Sequence, residues 1–340
     1  MKPYKHVSSE DRCVLKAYLK EGKSYRWIAP RWGHSISTIS EEIKAGSKSG
    51  LREDYDPYAA HIQSTLRKVS ANRSNPLKSD EVRQYVIEKL QQKEWSPEEI
   101  SHRMAYDYPK DEDMRISHET IYQFVNSAQG RALGLIGSLR RGKPRRERRR
   151  YRLKPSRGTQ GLGKVPGIDQ RPKAVSGRSR FGDWETDSML GKKKKGAILS
   201  VQHERKARYT VFKKCKDKSA RETRKAINSQ LERFPKSLRR TLTFDRGTEG
   251  AEYSHIAEKL DLETYFCDAY ASWQKGSVEN CIGLIRQYIP KGTLLETITE
   301  AQLKVIQDKL NHRPRKCLGW KTPHEVLSAH CKRLGVRLPT

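Results

Sequence analysis

Three short segments in the second half of the chain carry carboxylates whose types and spacing suit a site for divalent metal ions. In GDWETDSML, Asp183, Glu185 and Asp187 alternate with other residues, so they share one face if this segment is a strand. Asp245 ends the apolar run TLTFD, and Glu279 follows a valine in a predicted helix. Mg²⁺ prefers carboxylate oxygens, and a pair of such ions activates a nucleophile and steadies a leaving oxygen. One carboxylate from each segment would therefore give two metal ions a common site.

Each of these carboxylates also has an ordinary explanation. Glu279 lies in the first turn of a helix predicted to open at Ser277, where the helix dipole favours a negative charge. The apolar stripe of that helix consists of Val278, Ile282, Ile285 and Ile289. Acidic residues on a strand or at its end are usually exposed to solvent. Spacing alone does not decide which of the three acidic residues on the strand takes part.

The chain of 340 residues carries 70 Lys and Arg against 40 Asp and Glu, a formal net charge of +30. A positive field of this size points to a polyanionic partner, and DNA is the expected one. An anionic membrane surface is the competing partner. No apolar run approaches the length of a membrane span, and the start MKPYKHVSSEDRC has no signal-peptide core. We therefore expect a soluble, intracellular protein that does not act at a membrane.

The cysteines indicate no covalent framework. All six are scattered along the chain, and none forms a CxxC pair. The histidines near the last two cysteines do not match the spacing of a zinc motif. We therefore expect reduced, buried thiols, and neither a disulfide framework nor a zinc site.

The first stretch of the chain predicts a helix capped by Ser9, followed by two short helices joined by a turn at Gly33. Two short helices joined in this way form a helix-turn-helix, whose second helix can enter the major groove of DNA. Polar and basic residues of that second helix and its cap are then candidate DNA contacts: Ser35, Ser37, Thr38 and Lys44.

A second small helical unit follows. Pro97 stands at the first position of one predicted helix, and Ser117 is the predicted cap of another. The pattern again suits a helix-turn-helix, although a simple packing bundle fits nearly as well. The candidate DNA contacts of this unit are Ser117, His118 and Thr120.

A strongly basic block separates the helical units from the rest of the chain. Between Arg140 and Arg157, eleven of eighteen residues are Lys or Arg and one is acidic. Such a block repels itself and has no apolar face, so we expect a solvated linker that binds phosphates in a salt-dependent way. Its candidate DNA contacts are Arg145, Arg146, Arg148, Arg149 and Arg150.

The last region predicts strands first and then alternating strands and helices. RFGDWETDSMLG and RRTLTFDRG predict single strands, and GAILSVQHERKARYTVFKKC predicts a hairpin that turns near residues 204–207. SARETRKAINSQLERF and YSHIAEKLD predict helices, and the second of these leads into the short strand LETYFCD. This order indicates a mixed sheet with helices on its faces.

At this point the sequence resembles the IS-thirty (insertion sequence thirty) family of bacterial transposases. The matching motifs run in family order over nearly the whole chain: STISEEI, WSPEEI, SHETIY, RSRFGDWETDSMLG, TFDRGTE, SWQKGSVENCIGLIRQYIPKGT and LNHRPRKCLGWKTPHEV. Asp245 and Glu279 are separated by 33 residues, and the block around Glu279 is the most specific. The resemblance implies an RNase H-like catalytic domain, as in retroviral-type integrases.

Carried over residue by residue, the resemblance makes Asp187, Asp245 and Glu279 the catalytic residues and the ligands of two Mg²⁺ ions, with Mn²⁺ as a substitute. It makes Asp183 and Glu185 neighbours of the site and not ligands. Basic residues in the motif around Glu279 and in the last motif are implied DNA contacts: Lys275, Arg286, Lys291, Arg313, Arg315 and Lys316.

With the resemblance included, the predicted fold is α+β and multidomain. It has an N-terminal all-α helix-turn-helix domain over 1–68, a second helical domain over 69–138 and a basic linker over 139–175. An RNase H-like catalytic domain with a mixed five-stranded sheet flanked by helices follows over 176–340.

The implied function is DNA transposition. The protein would bind the terminal inverted repeats of its element, cleave the strands with the help of metal ions and transfer them to target DNA. Two DNA ends held at once imply a homodimer or a higher oligomer. The implied location is the bacterial cytoplasm, in association with the nucleoid through DNA.

Two other functions fit the sequence. One is a metal-dependent DNA nuclease that cuts without joining, and the other is a DNA-binding regulator whose catalytic domain is inert. Two predicted helix-turn-helix units favour recognition of particular DNA ends over simple cutting. The intact set of three carboxylates argues against an inert domain.

Overall fold

The computed structural model describes residues 7–73, 77–140, 165–193, 196–269 and 271–339, and the chain divides into two compact units, Met1–Ser79 and Asp80–Thr340. The first unit is helical and contains α1 (Ser9–Lys20), α2 (Tyr25–Trp32), α3 (Ile36–Gly46) and α4 (Pro57–Arg73). Within the described ranges, no helix is long and apolar enough to span a bilayer.

The first three helices form the predicted helix-turn-helix around a shared apolar core. Leu15, Ile28 and Ile39, one from each helix, are fully buried. Gly33 ends α2 with a left-handed φ of 77°, a conformation that glycine adopts without strain. The chain then turns directly into α3.

The helix caps of this unit follow from local hydrogen bonds. The hydroxyl of Ser35 accepts the backbone N–H of Thr38 at 3.1 Å, which confirms the predicted start of α3. The predicted cap of α1 is wrong by one residue. Ser8, not Ser9, caps the helix, because Ser8 and Asp11 form a reciprocal capping box.

The second unit begins with five helices: α5 (Asp80–Gln91), α6 (Pro97–Asp107), α7 (His118–Asn126), α8 (Ala128–Ala132) and α9 (Leu135–Ser138). Pro97 opens α6 and Ser117 caps α7, as predicted. The predicted boundary between residues 68 and 69 is wrong, because α4 runs through it. The helices from Asp80 onward belong to the same compact unit as the sheet.

The sheet of the second unit has five strands: β1 (Asp183–Leu190), β2 (Ile198–Glu204), β3 (Thr210–Cys215), β4 (Thr241–Phe244) and β5 (Glu263–Phe266). Their order is β3-β2-β1-β4-β5. The β1–β2 and β2–β3 pairs are antiparallel, whereas β1–β4 and β4–β5 are parallel. This is the predicted mixed five-stranded sheet, and the predicted hairpin is the one between β2 and β3.

Helices cover both faces of the sheet: α10 (Lys173–Ser176), α11 (Ala220–Leu231), α12 (Tyr253–Leu260), α13 (Gly276–Ile285), α14 (Glu300–Asn311) and α15 (Pro323–Arg333). Trp184 and Leu242 belong to the apolar cluster that includes residues of α11 and α12. Met189 and Val201 belong to a second cluster with Val278 of α13. Since side chains alternate along a strand, Asp183, Glu185 and Asp187 share the face of Met189, on which α13 packs.

Short 3₁₀ turns connect these elements: Ile168–Gln170, Lys236–Leu238, Thr248–Gly250, Ser272–Lys275, Leu295–Thr297 and Lys316–Leu318. The described part of the predicted linker, residues 165–175, packs onto the sheet. Gly167 forms a parallel bridge with Phe266, and Val175 is fully buried. The predicted start of the catalytic domain at residue 176 is therefore too late. The expectation of buried thiols is wrong for Cys13 and Cys317, which are exposed.

Ion pairs attach α6 and the turn before it to the C-terminal part of the second unit. The guanidinium of Arg313 lies 2.9 Å from the carboxylate of Glu99, and the guanidinium of Arg103 lies 2.6 Å from that of Glu325. Further pairs join Glu94 to Lys309 and Glu98 to Lys316. Ion pairs therefore hold the second helical region against the part of the unit that carries the sheet.

Leu242→Ala tests the position of the core. Leu242 is fully buried on the central strand pair, so truncation leaves a cavity and is expected to cost about 2–5 kcal/mol of unfolding free energy. Val305→Ala is the matched control, because Val305 is 56% exposed and its loss is expected to cost less than about 0.5 kcal/mol. Urea denaturation of both full-length variants measures the difference. Equal losses would contradict the described core.

Candidate active site

Two adjacent parallel strands bring Asp187 and Asp245 to the same region of the sheet. Asp187 lies on β1, and Asp245 directly follows the last residue of β4. The ammonium of Lys275 lies between them, 3.2 Å from Oδ1 of Asp187 and 2.8 Å from Oδ2 of Asp245. Two of the three predicted catalytic carboxylates therefore share one cation.

Lys275 is 4% exposed, and its ammonium also lies 3.4 Å from the backbone carbonyl of Thr186. Burial alone would lower the pKa of Lys275, but Asp187 and Asp245 raise that pKa above its usual value. Burial alone would raise the pKa of Asp245, but Lys275 and the N–H of Gly247 hold it below its usual value. Lys275 and Asp245 are therefore both charged at neutral pH. In this structure Lys275 is engaged internally, and its contact with DNA stays a prediction.

Glu279 lies four residues after Lys275, in the first turn of α13. Its side chain is exposed. Within the described ranges, no group of three or more acidic, histidine or cysteine side chains is close enough to hold a metal ion. The structure thus brings Asp187 and Asp245 together around Lys275, whereas Glu279 is exposed on α13 and its place in the set stays a prediction.

The surroundings of Glu185 decide whether it can bind a metal ion, a point that spacing alone leaves open. It is fully buried, forms an ion pair with Arg205 and accepts the backbone N–H of Val278 at 3.0 Å. Both of its oxygens are therefore engaged inside the protein. Asp183 is likewise occupied, with Arg180 at 3.1 Å and the hydroxyl of Thr241 at 2.9 Å. Neither carboxylate is available to a metal ion.

The start of α13 differs from the prediction. The helix begins at Gly276, and its N-terminus has no side-chain cap. The hydroxyl of Ser277 instead accepts hydrogen bonds from Arg178 at 3.1 Å and Arg208 at 2.9 Å. The first turn is held by Glu185 through Val278, an anchor that sequence analysis missed. The register of the predicted hairpin could have revealed this anchor, because it places Arg205 beside the start of β1.

The predicted DNA contacts of the two helical regions lie at helix N-termini, except Lys44, which is in the last turn of α3. Ser35 is hydrogen bonded to Ser37 at 2.7 Å and to Thr38 at 2.9 Å, and Lys44 is exposed on the same helix. At α7, the hydroxyls of Ser117 and Thr120 lie 2.8 Å apart, and His118 is exposed. Both sets are accessible, and their contact with DNA stays a prediction.

The remaining predicted contacts have different surroundings. Arg313 is 2% exposed and bonded to Glu99 and Gln287, so an internal ion pair replaces the expected DNA contact. Arg286 donates to the carbonyl of Leu190 at 2.7 Å. Lys291 and Lys316 are exposed and Arg315 is half-buried. The linker residues Arg145, Arg146, Arg148, Arg149 and Arg150 lie outside the described residues.

Comparisons with known proteins found a matching family, similar sequences and a similar solved structure. A family described as "Helix-turn-helix domain" matches residues 3–46. The transposase for insertion sequence element IS4351 of Bacteroides fragilis is 37% identical, over 94% of this chain and 95% of its own length. The transposase for IS1086 of Cupriavidus metallidurans is 33% identical, over 99% of this chain and 98% of its own length. Transposase InsI for IS30A of Escherichia coli is 34% identical, over 95% of this chain and 83% of its own length. A crystal structure of the catalytic core of BIV integrase aligns with a TM-score of 0.35 and 20% identity, over 45% of this chain and 98% of that one.

Glu185→Gln tests the anchor beneath the site. The change keeps the acceptor for Val278 but leaves the buried charge of Arg205 without its partner, which is expected to cost about 3–5 kcal/mol of unfolding free energy. Glu232→Gln breaks an exposed pair with Lys259 and is expected to cost less than about 1 kcal/mol. Urea denaturation of the full chain compares the two. A cost for Glu185→Gln as small as that of the control would refute the anchor.

Proposed function

The chain belongs to the IS30 family of insertion-sequence transposases, and from this premise we propose that it cuts and joins DNA strands with Asp187, Asp245 and Glu279. The observation that carries this proposal is the cation shared by Asp187 and Asp245. Their oxygens already bind one positive charge between two adjacent strands. Glu279 lies four residues after Lys275 in the chain, and its exposed side chain is the third member of the proposed set.

The donor set fits two divalent cations. All three side chains offer hard carboxylate oxygens, which suit Mg²⁺ and also Mn²⁺. When bound, such a pair of ions supplies activation of the attacking oxygen and stabilisation of the leaving oxygen of a phosphodiester. Asp187, Asp245 and Glu279 would hold the two ions.

Lys275 has two roles in this proposal. Before metal binds, its ammonium balances the charge of two close carboxylates, which would otherwise repel each other. A divalent cation held by Asp187 and Asp245 would supply that positive charge instead. Lys275 would then be available for the DNA contact expected of it.

The reaction has two parts. A water molecule attacks the phosphodiester at the end of the element, and the freed 3′-hydroxyl then attacks a phosphodiester of the target DNA. Neither step needs a covalent bond to the protein. The helix-turn-helix of the first unit and α7 of the second recognise the terminal inverted repeats, and pairing of two ends requires at least a dimer.

Glu279→Gln tests the third ligand. The substitution removes the charge and keeps the size, so binding of a labelled double-stranded terminus should persist while cleavage and joining fall more than roughly 100-fold, beyond the usual effect of losing a partner outside the ligand set. Gel analysis of cut and joined strands with Mg²⁺ measures both steps.

Glu258→Gln is the control for that assay, because Glu258 is exposed on α12 and should be neutral. Cleavage by Glu279→Gln at the wild-type rate would refute the assignment of Glu279. Cutting by the wild type without any joined product would indicate a nuclease, and binding without cutting would indicate a regulator.

Lys275→Met tests the metal position by stability. Without metal, the variant leaves two close carboxylates without their counter-charge, so its melting temperature should fall. Added Mg²⁺ should then raise the melting temperature more in the variant than in the wild type, because no ammonium competes for the carboxylates. Lys259→Met is the control, since Lys259 belongs to an exposed pair. An Mg²⁺ effect equal in all three proteins would contradict metal binding at this position.

A further inference from the structure

A cavity of about 260 Å³ lies beside α13, on a different side of the helix from Glu279. Gly276, Ser277 and Asn280 line it from the helix. Three arginines line it from elsewhere: Arg178 from the segment before β1, Arg208 from the turn between β2 and β3, and Arg315 from the segment after α14. The mechanism proposed above does not use any of these arginines.

The positive charge of this cavity lacks a matching negative charge. Among the described residues, Arg178, Arg208 and Arg315 form no ion pair with a carboxylate. Arg178 and Arg208 donate to one neutral acceptor, the hydroxyl of Ser277, and Arg315 donates to the carbonyl of Leu310 at 3.1 Å. Other arginines of the same unit, such as Arg205 and Arg313, are paired with a glutamate.

The titration of the surrounding groups reflects this excess of positive charge. Burial lowers the pKa of Arg178, and the neighbouring Arg208 lowers it further. Burial lowers the pKa of Arg315, and Arg313 adds to that effect. His203, buried in the cavity wall, has a pKa well below its usual value because of burial and then because of these arginines, so it is neutral at pH 7. Like charges held together at a partly buried site favour an anion among them.

We propose that this cavity binds one backbone phosphate of the DNA strand that enters the active site. The planar fork of a guanidinium matches the oxygens of a phosphate, and three such groups converge here. The uncapped N-terminus of α13 adds backbone N–H groups and the positive end of a helix dipole. A side chain built at Gly276 would meet no atom within 4 Å, so the helix start is open to a ligand.

The position of the cavity favours DNA over a free anion. Asn280, at its edge, directly follows Glu279, so a strand whose scissile phosphate lies at Glu279 passes the cavity mouth within a short length of backbone. The volume is below the roughly 300–1,000 Å³ of pockets that enclose whole small-molecule ligands. The cavity therefore fixes the register of the strand and leaves the bases outside. This inference rests on DNA being the substrate, as proposed above.

Arg208→Gln tests the inference in the full-length chain. Fluorescence anisotropy with a labelled duplex, repeated over a series of salt concentrations, gives the affinity and its salt slope. Loss of one phosphate contact should weaken binding about tenfold and reduce the salt slope by about one. Arg221→Gln is the matched control, because Arg221 is exposed on α11 and its loss changes the net charge equally. Equal affinity and slope for the two variants would overturn the proposal.

A further variant separates charge from structure. Arg208→Lys keeps the charge and should recover part of the affinity lost in Arg208→Gln. If Arg208→Lys binds DNA no better than Arg208→Gln, the positive charge at this position does not bind the phosphate and the proposal fails.

Inorganic phosphate identifies the source of the anion. If phosphate alone raises the melting temperature of the wild type but not of Arg208→Gln, while the DNA affinities of both are equal, the cavity takes a free anion and the DNA proposal fails. Cutting of the labelled end tests the proposed function separately. If the wild type cuts the labelled end but Arg208→Gln binds DNA as well as the wild type does, the phosphate-binding proposal is wrong and the proposed function stands. If Arg208→Gln loses DNA affinity but the wild type never cuts, the proposed function is wrong and the phosphate-binding proposal stands.

Discussion

Glu185 lies where the central strand β1, the turn after β2 and the first turn of α13 meet. Its carboxylate neutralises Arg205 inside the protein and accepts the N–H of Val278. The strand that carries Asp187 and the helix that carries Glu279 therefore share one anchor. Either element could move away only by leaving a buried charge without its partner, which is costly. The relative position of the acidic side chains thus depends on an ion pair that lies behind them and takes no part in the chemistry.

Much of the fold could be predicted because its signals are local. The caps Ser35 and Ser117, the proline that opens α6 and the apolar stripe of α13 each depend on residues within one or two turns. Prediction fails where the deciding partner is distant in the chain. Ser277 has the residue type of a helix cap, but its hydroxyl is bound by arginines 99 and 69 residues away. Arg313 has the composition of a surface cation, but it is buried against a glutamate 214 residues away.

The proposed catalytic carboxylates show the same division. Their presence on two strands and a helix follows from pattern, and the family resemblance selects Asp187 from three candidates on one face. The reason for that selection is tertiary. Asp183 and Glu185 are satisfied by internal partners, whereas Asp187 reaches the edge that Asp245 and Lys275 share. The positive charge is likewise divided by folding. Acidic residues near α6 pair with several C-terminal cations, whereas Arg178, Arg208 and Arg315 beside α13 form no ion pair with a carboxylate in the part of the chain that the structure describes.

The docking of α6 has a consequence for where a strand is cut. The hydroxyl of Ser101 on α6 donates to the carbonyl of Ile116, just before α7, at 2.6 Å, and four ion pairs hold α6 and the turn before it against the C-terminal segments. The N-terminal end of α7 and the side chains of Asp187 and Asp245 therefore belong to the same compact unit. In the proposed function, a duplex bound at α7 would meet Asp187 and Asp245 at a set distance along the DNA, since each base pair adds about 3.4 Å along the axis. The second unit would then measure out the position of the cut, and loosening α6 would blur that position more than it slows the cut.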